Sequence, residues 1–169
     1  MRLFMRSSAE KSLQEFDDKI DTYFKTSRKY RSKLRRGSVV LLDEDPEMFK
    51  FLNFIVEKCS LPIGVVHVAS ELCAMKIIND IGSNNVKAVI INEKFLGDCS
   101  DPNSFSMWVR EQFPKIPVWV TDCNPERTDF IKSKTSRIGV IQENEPLTEV
   151  AMELGFPEEC LPFALAYTG

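Results

Sequence analysis

The hydrophobic rhythm of the chain changes once, near Gly37. Residues 8–36 hold no Pro or Gly, and their apolar positions fall at Leu13, Phe16, Ile20, Tyr23, Tyr30 and Leu34. The spacings of 3, 4, 3, 7 and 4, with Ser27 in the gap, follow the period of a coiled-coil seam and predict one long amphipathic helix. Beyond Gly37 the apolar residues gather in short β-branched runs, at Ser38–Leu42, Gly64–Val68, Ala88–Ile91, Val118–Val120 and Ile138–Ile141. These runs are continuous rather than alternating, as in strands of a parallel sheet buried on both faces. Between them stand helix starts. Asp45-Pro46 and Asn124-Pro125 each set a capping side chain before a proline suited to the first helical position. Ser70-Glu71 opens a segment with Leu72, Met75, Ile78 and Ile81 at helical spacing. The predicted order is βαβαβαβαβα, a doubly wound five-stranded parallel α/β sheet whose working surface is its carboxyl edge. After Leu154, Pro157 and Pro162 argue against another long helix and predict a short tail packed on the domain. The expected organisation is a helical extension over 1–36, a domain over 37–155 and a tail over 156–169.

Charge divides at the same place. The formal net charge of −3 hides 11 Lys/Arg against 5 Asp/Glu in residues 1–36 and 11 against 20 in residues 37–169. Within the extension, Glu10, Glu15, Asp17, Asp18 and Asp21 precede a basic run of Lys25, Arg28, Lys29, Arg31, Lys33, Arg35 and Arg36. Acids early and bases late in a helix both suit its macrodipole, so part of this pattern needs only a stability explanation.

Composition removes several classes of function. No apolar run approaches the roughly 18–20 residues of a membrane span, and the amino terminus lacks the apolar core of a secretory signal, so a cytoplasmic protein is expected. The five cysteines, at 59, 73, 99, 123 and 160, are widely spaced without a C-x-x-C pair and predict reduced thiols, not a zinc site or a disulfide framework. His67, the single histidine, lies in the strand run Val65-Val66-His67-Val68 and reads as structural. One His and seven Gly build no histidine metal centre, Ser-His-Asp order or glycine-rich phosphate loop. No cofactor is expected.

The strand ends carry the chemistry. The first run ends in Asp43-Glu44-Asp45, the third in Asn92-Glu93-Lys94, the fourth in Thr121-Asp122, and the fifth leads to Glu143-Asn144-Glu145-Pro146. With these residues the chain resembles, over about residues 37–155, the receiver domains of two-component response regulators. The resemblance implies a flavodoxin-like, receiver-type sheet preceded here by the long amino-terminal helix. In that family an acidic pair holds Mg²⁺, an Asp ending the third strand accepts a phosphoryl group, a Thr or Ser ends the fourth, and a Lys precedes a cis-proline after the fifth. Asp43 and Glu44 match the acidic pair, Thr121 the hydroxyl and Pro146 the proline.

The departures set the expected function. Asn92 stands where the acceptor would be, and an amide, lacking an anionic oxygen, forms no acyl phosphate. The lysine position holds Glu145 if Pro146 anchors the alignment, or Glu143 if strand length does, and either reverses the charge. Val140 or Gln142 replaces the family's switch aromatic. Carboxylates without a lysine would repel a phosphoryl dianion. No metal site is expected, Asp43 and Glu44 being the one pair that could attract a divalent cation. The sequence therefore reads as a non-enzymatic pseudo-receiver, a signalling or scaffold module that binds a protein partner and forms a homodimer through its amino-terminal helix, the alternative for that helix being packing on its own domain. A second reading gives the basic run from Lys25 to Arg36 to nucleic acid or an anionic membrane. A third makes the domain an enzyme or a receiver phosphorylated at another acid, Asp98 or Asp122.

Overall fold

The computed structural model describes residues 37–96 and 104–167. The amino-terminal stripe, the basic run, Asp98 and Cys99 lie outside the described residues.

Five strands, β1 (Ser38–Leu42), β2 (Gly64–Val68), β3 (Val86–Asn92), β4 (Val118–Cys123) and β5 (Ile138–Gln142), form one parallel sheet in the order β2-β1-β3-β4-β5. They alternate with helices α1 (Glu47–Lys58), α2 (Glu71–Ile81), α3 (Phe105–Gln112), α4 (Pro125–Lys134) and α5 (Leu147–Glu153), and a sixth, α6 (Leu161–Ala166), closes the chain. This is the flavodoxin-like strand order, an α/β sheet with helices on both faces. The chain leaves β1 for β2 on one side and returns to β3 on the other, so the order reverses between β1 and β3.

The apolar runs become the strands because each must be covered on both sides. All five residues of β1 are buried. Val40 and Leu42 face a core with Val66, Val89 and Ile91 under α2, α3 and α4, whereas Val39 and Leu41 face one with Val65, Ile90 and Ile141 under α1, α5 and α6. Burial of each such side chain stabilises the fold by about 1.5–3 kcal/mol.

Two predicted caps form as expected. The Ser70 side chain accepts a hydrogen bond from Cys73 N, and Asn124 accepts one from Arg127 N with Pro125 in the first turn. At α1 the cap is displaced by one residue. Pro46 takes the capping position without a side-chain bond, while Asp45 Oδ1 accepts from Glu47 N at 3.1 Å. The expected face of α2 is borne out at Ile78, which is buried, and at Met75 and Ile81, which pack half-buried on the same core; it is corrected at Leu72, which is 53% exposed, while Cys73, Ala74 and Ile77 complete the buried side. Steps of three lag behind a 3.6-residue turn, so a line that begins at Leu72 starts off the buried stripe and drifts onto it by Ile78 and Ile81.

Helices α1 and α5 end alike. Leu61 N donates to Val56 O and Ser60 N to Glu57 O, with Ser60 at φ 51°. Phe156 N donates to Ala151 O and Gly155 N to Met152 O, with Gly155 at φ 83°. Both are Schellman caps, which stop a helix by a left-handed residue. After the second cap the chain turns through the 3₁₀ segment Glu158–Cys160 into α6, which packs on α1, and Tyr167 lies against Phe51 and Phe54 at ring-centroid distances of 5.4 and 5.2 Å. Cys59, Cys73, Cys123 and Cys160 are unbridged. Burial, then a hydrogen bond with Cys59, pushes the Cys160 thiol up to about 12, which keeps it protonated and unreactive.

One strand position admits only glycine. Trp119 pairs with Gly139 across β4 and β5, and a Cβ on Gly139 would lie 2.3 Å from the indole Cε3. Gly139→Ala should lower stability by about 1–3 kcal/mol, since the ring must leave its rotamer or the edge strand must shift. A fall in the denaturant midpoint at unchanged m-value, with altered Trp fluorescence, is the expected result.

Candidate functional site

The carboxyl ends of β1 and β3, where the strand order reverses, open into a cavity of about 270 Å³. In open α/β sheets such a crevice is the usual ligand position. Of the seven residues expected there, Asp43, Asn92, Thr121, Glu143 and Glu145 line the cavity together, whereas Glu44 and Pro146 stand outside its lining. Both residues proposed for the lysine position therefore reach it.

Asp43 is the hinge of the site. Only 4% exposed, it follows the last residue of β1, an interior strand, and the chain turns at once into α1. Its Oδ1 accepts from Asp45 N at 2.9 Å and its Oδ2 from Asn92 Nδ2 at 3.3 Å. Its backbone N donates to Val68 O at 3.0 Å, and its carbonyl is 2.7 Å from His67 Nε2. The His67 ring stacks on Phe49 at 5.4 Å, which gives the single histidine a structural place. Asn92, 8% exposed, spends its other side-chain atom as well: Oδ1 accepts from Lys94 N at 3.1 Å and starts the 3₁₀ turn Glu93–Phe95.

Thr121 is opposite Asn92 on β4 and is 3% exposed, with its hydroxyl buried and unpartnered. The next residue, Asp122, has φ 66° and breaks the β4–β5 register between Val120 and Cys123. On the far wall Glu145 N closes a turn to Gln142 O at 3.3 Å through Asn144 at φ 60°. The expected cis-proline is corrected. No peptide bond is cis among the described residues, and Pro146, at φ −55° and ψ 136°, leads by a trans bond into α5. The left-handed Asn144 already reverses the chain here, so no cis bond is required to aim the helix.

Two electrostatic features escaped the sequence reading. A lysine does reach the rim: Lys94 Nζ pairs with Glu44 Oε2 at 2.9 Å, and that hydrogen bond, then the charges of Glu44, Asp43 and Asp45, hold Lys94 above the ordinary amine range. It neutralises Glu44 at the surface and does not line the cavity. The second feature is a carboxyl pair. Partial burial of the Glu153 carboxyl, then a hydrogen bond with Glu145 and the charges of Glu145 and Glu149, push Glu153 up to about 7, with Lys132 opposing. The four-residue spacing of Glu145, Glu149 and Glu153 does not by itself signal the pair, because Glu145 lies before Pro146, outside α5.

The donor set does not fit a divalent cation. Both Asp43 oxygens are engaged, Glu44 is held by Lys94, and Asn92 turns an N–H toward Asp43. Among the described residues no group of three His, Cys, Asp or Glu side chains is arranged to hold a metal ion, and no helix is long and apolar enough to cross a membrane. Family models, curated proteins and solved structures all fail to match the chain.

Two outcomes follow from this geometry. Asn92→Asp should replace the Asn92–Asp43 hydrogen bond by two opposed carboxyls and lower stability by about 1–3 kcal/mol. Millimolar Mg²⁺ should raise the melting temperature of that variant and leave the wild type unmoved, as thermal unfolding with and without EDTA would show. For Glu153, a folded value of about 7 above the ordinary 4.5 means that its contribution is fully present below pH 4.5 and is lost as the pH rises through 7. Because Glu153 is exposed and solvent screens it, Glu153→Gln should gain only about 0.5–1 kcal/mol at pH 8, and nothing at pH 4. Urea titrations at the two pH values test it.

Proposed function

We propose that residues 37–155 are a pseudo-receiver: a receiver-type domain that has lost phosphotransfer and works as a cytoplasmic, non-enzymatic signalling or scaffold module. The observation that carries this reading is Asn92. It stands at the carboxyl end of β3, at the reversal of strand order, with its amide donated to Asp43. An acyl phosphate needs an anionic oxygen at that position to attack phosphorus, and the amide has none. Glu143 and Glu145 add repulsion where a transferred phosphoryl group would need a cation.

The same edge suits a protein partner. Asp45, Glu47, Asp122 and Glu143 are exposed around the cavity, so a basic surface would meet complementary charge there. The amino-terminal stripe, with Leu13, Phe16, Ile20 and Tyr23, supplies a second surface for assembly.

Incubation with acetyl phosphate and Mg²⁺, followed by intact mass, tests the loss of phosphotransfer. No phosphoryl adduct is expected on the wild-type chain, and a stoichiometric adduct mapping to Asp122 or to any other acid would overturn the pseudo-receiver reading.

A further inference from the structure

At the opposite, amino-terminal edge of the sheet the α1/α5 layer is incomplete. Because α5 ends at Glu153 and the Gly155 cap turns the chain away, a groove remains over the early part of β1 and β3, with Val39 8% exposed and Ala88 half-buried. It measures about 230 Å³ and has Val39, Ala88 and Ile90 as its floor. Its two walls are helix ends: Leu61 follows the cap of α1, and Leu154 and Phe156 flank the cap of α5. A parallel sheet ordinarily has both faces covered, and this stretch of face is apolar and half-open.

We propose that the groove is the seat of this chain's own residues 30–36, with Tyr30 and Leu34 as the apolar side chains it receives. Three observations select that occupant over others. The first is reach. Gly37, where the described chain begins, abuts the groove, since a Cβ there would meet Lys87 at 2.9 Å and Ile63 at 3.3 Å, and both residues line it. At no more than about 3.6 Å per residue, Leu34 lies within about 11 Å of Gly37 in any conformation. The second is hydrophobic pattern, because Tyr30 and Leu34 are the last two members of the apolar stripe. The third is charge. Among the described residues Lys87 is the one charged lining residue; around it two helix carboxyl termini converge, their final carbonyls carry partial negative charge, and the exposed acids Glu158 and Glu159 follow the lining residue Pro157. The segment Tyr30-Arg31-Ser32-Lys33-Leu34-Arg35-Arg36 brings four bases and no acid. Docking in cis divides the stripe, leaving Leu13, Phe16, Ile20 and Tyr23 for another molecule. It is independent of the chemistry at Asn92.

Methyl-resolved NMR on the full chain tests it. Nuclear Overhauser contacts from the Leu34 methyls and the Tyr30 ring to the Ala88 methyl are expected within one molecule, unchanged on dilution. Leu34→Asp should abolish them and shift the Ala88, Leu61 and Leu154 methyl signals. Absence of these contacts in the wild type overturns the proposal, as does their appearance between labelled and unlabelled copies in a mixed sample, which would place a second copy in the groove. Unmoved groove signals in folded Leu34→Asp would overturn it too. If that variant does not fold, the wild-type contacts alone decide.

Discussion

A carboxyl group at the end of an interior, fully buried strand cannot be left without partners, and the carboxyl edge of this sheet is organised around that demand. Asp43 receives one hydrogen bond from the chain that turns into α1 and one from Asn92 on β3, and its carbonyl and N–H are tied to β2 through His67 and Val68. The ends of three strands therefore meet at one residue. Burial of a polar group unpaired costs several times what a satisfied hydrogen bond returns. Asn92 thus has a positive structural role. A carboxylate in its place has no N–H to give, so the residue that removes a nucleophile also completes the hydrogen bonding of Asp43.

The remaining charges follow from that arrangement. With Asp43 satisfied by neutral donors, Lys94 is free to pair outward with Glu44, at the surface, where an ion pair contributes little to stability. Glu145 finds a carboxyl partner in Glu153 instead of a base. Among the described residues no lysine or arginine lines the cavity, and the carboxylates there set a negative local field. A field of this kind favours approach by a cationic surface and opposes a phosphoryl donor, which links the pairing of two buried side chains to the partner chemistry of the whole edge.

The five strands were legible because continuous apolar runs have few alternatives in a chain of this length. β1 and β2 begin and end with their runs, whereas β3 starts earlier, at Val86, and β4 continues through Thr121-Asp122-Cys123. Those additions are polar or charged in part, and pairing with a neighbouring strand, not hydrophobicity, includes Val86, Thr121 and Cys123, with the left-handed Asp122 as an unpaired irregularity between the last two. The strand-end residues Asp43, Asn92 and Thr121 were legible for the same reason: topology brings strand ends together whatever their side chains. The pairs Lys94–Glu44 and Glu153–Glu145 were not, since each depends on side-chain direction and on loop geometry that a spacing does not encode. On α2 only Leu72 was misplaced, because Cys73 and Ala74 are small, and small residues mark a close helix–sheet contact less visibly than Leu72 marks an apolar position.

The end of α5 has consequences at both edges. A seven-residue helix cannot cover the length of β1 and β3, and its cap at Gly155 sends the following residues across to α1, where Cys160, Ala164 and Tyr167 fill the layer. The residues that cover α1 are thus not available to fill the groove beside Val39 and Ala88. Extending α5 instead would close the sheet face and leave Phe51 and Phe54 without Tyr167. Gly155 and Pro157 settle the choice, the first by accepting a left-handed backbone and the second by lacking the N–H that helix continuation needs. The gap at the amino-terminal edge is consequently a built feature of the fold, placed beside the point where the preceding segment of chain enters β1.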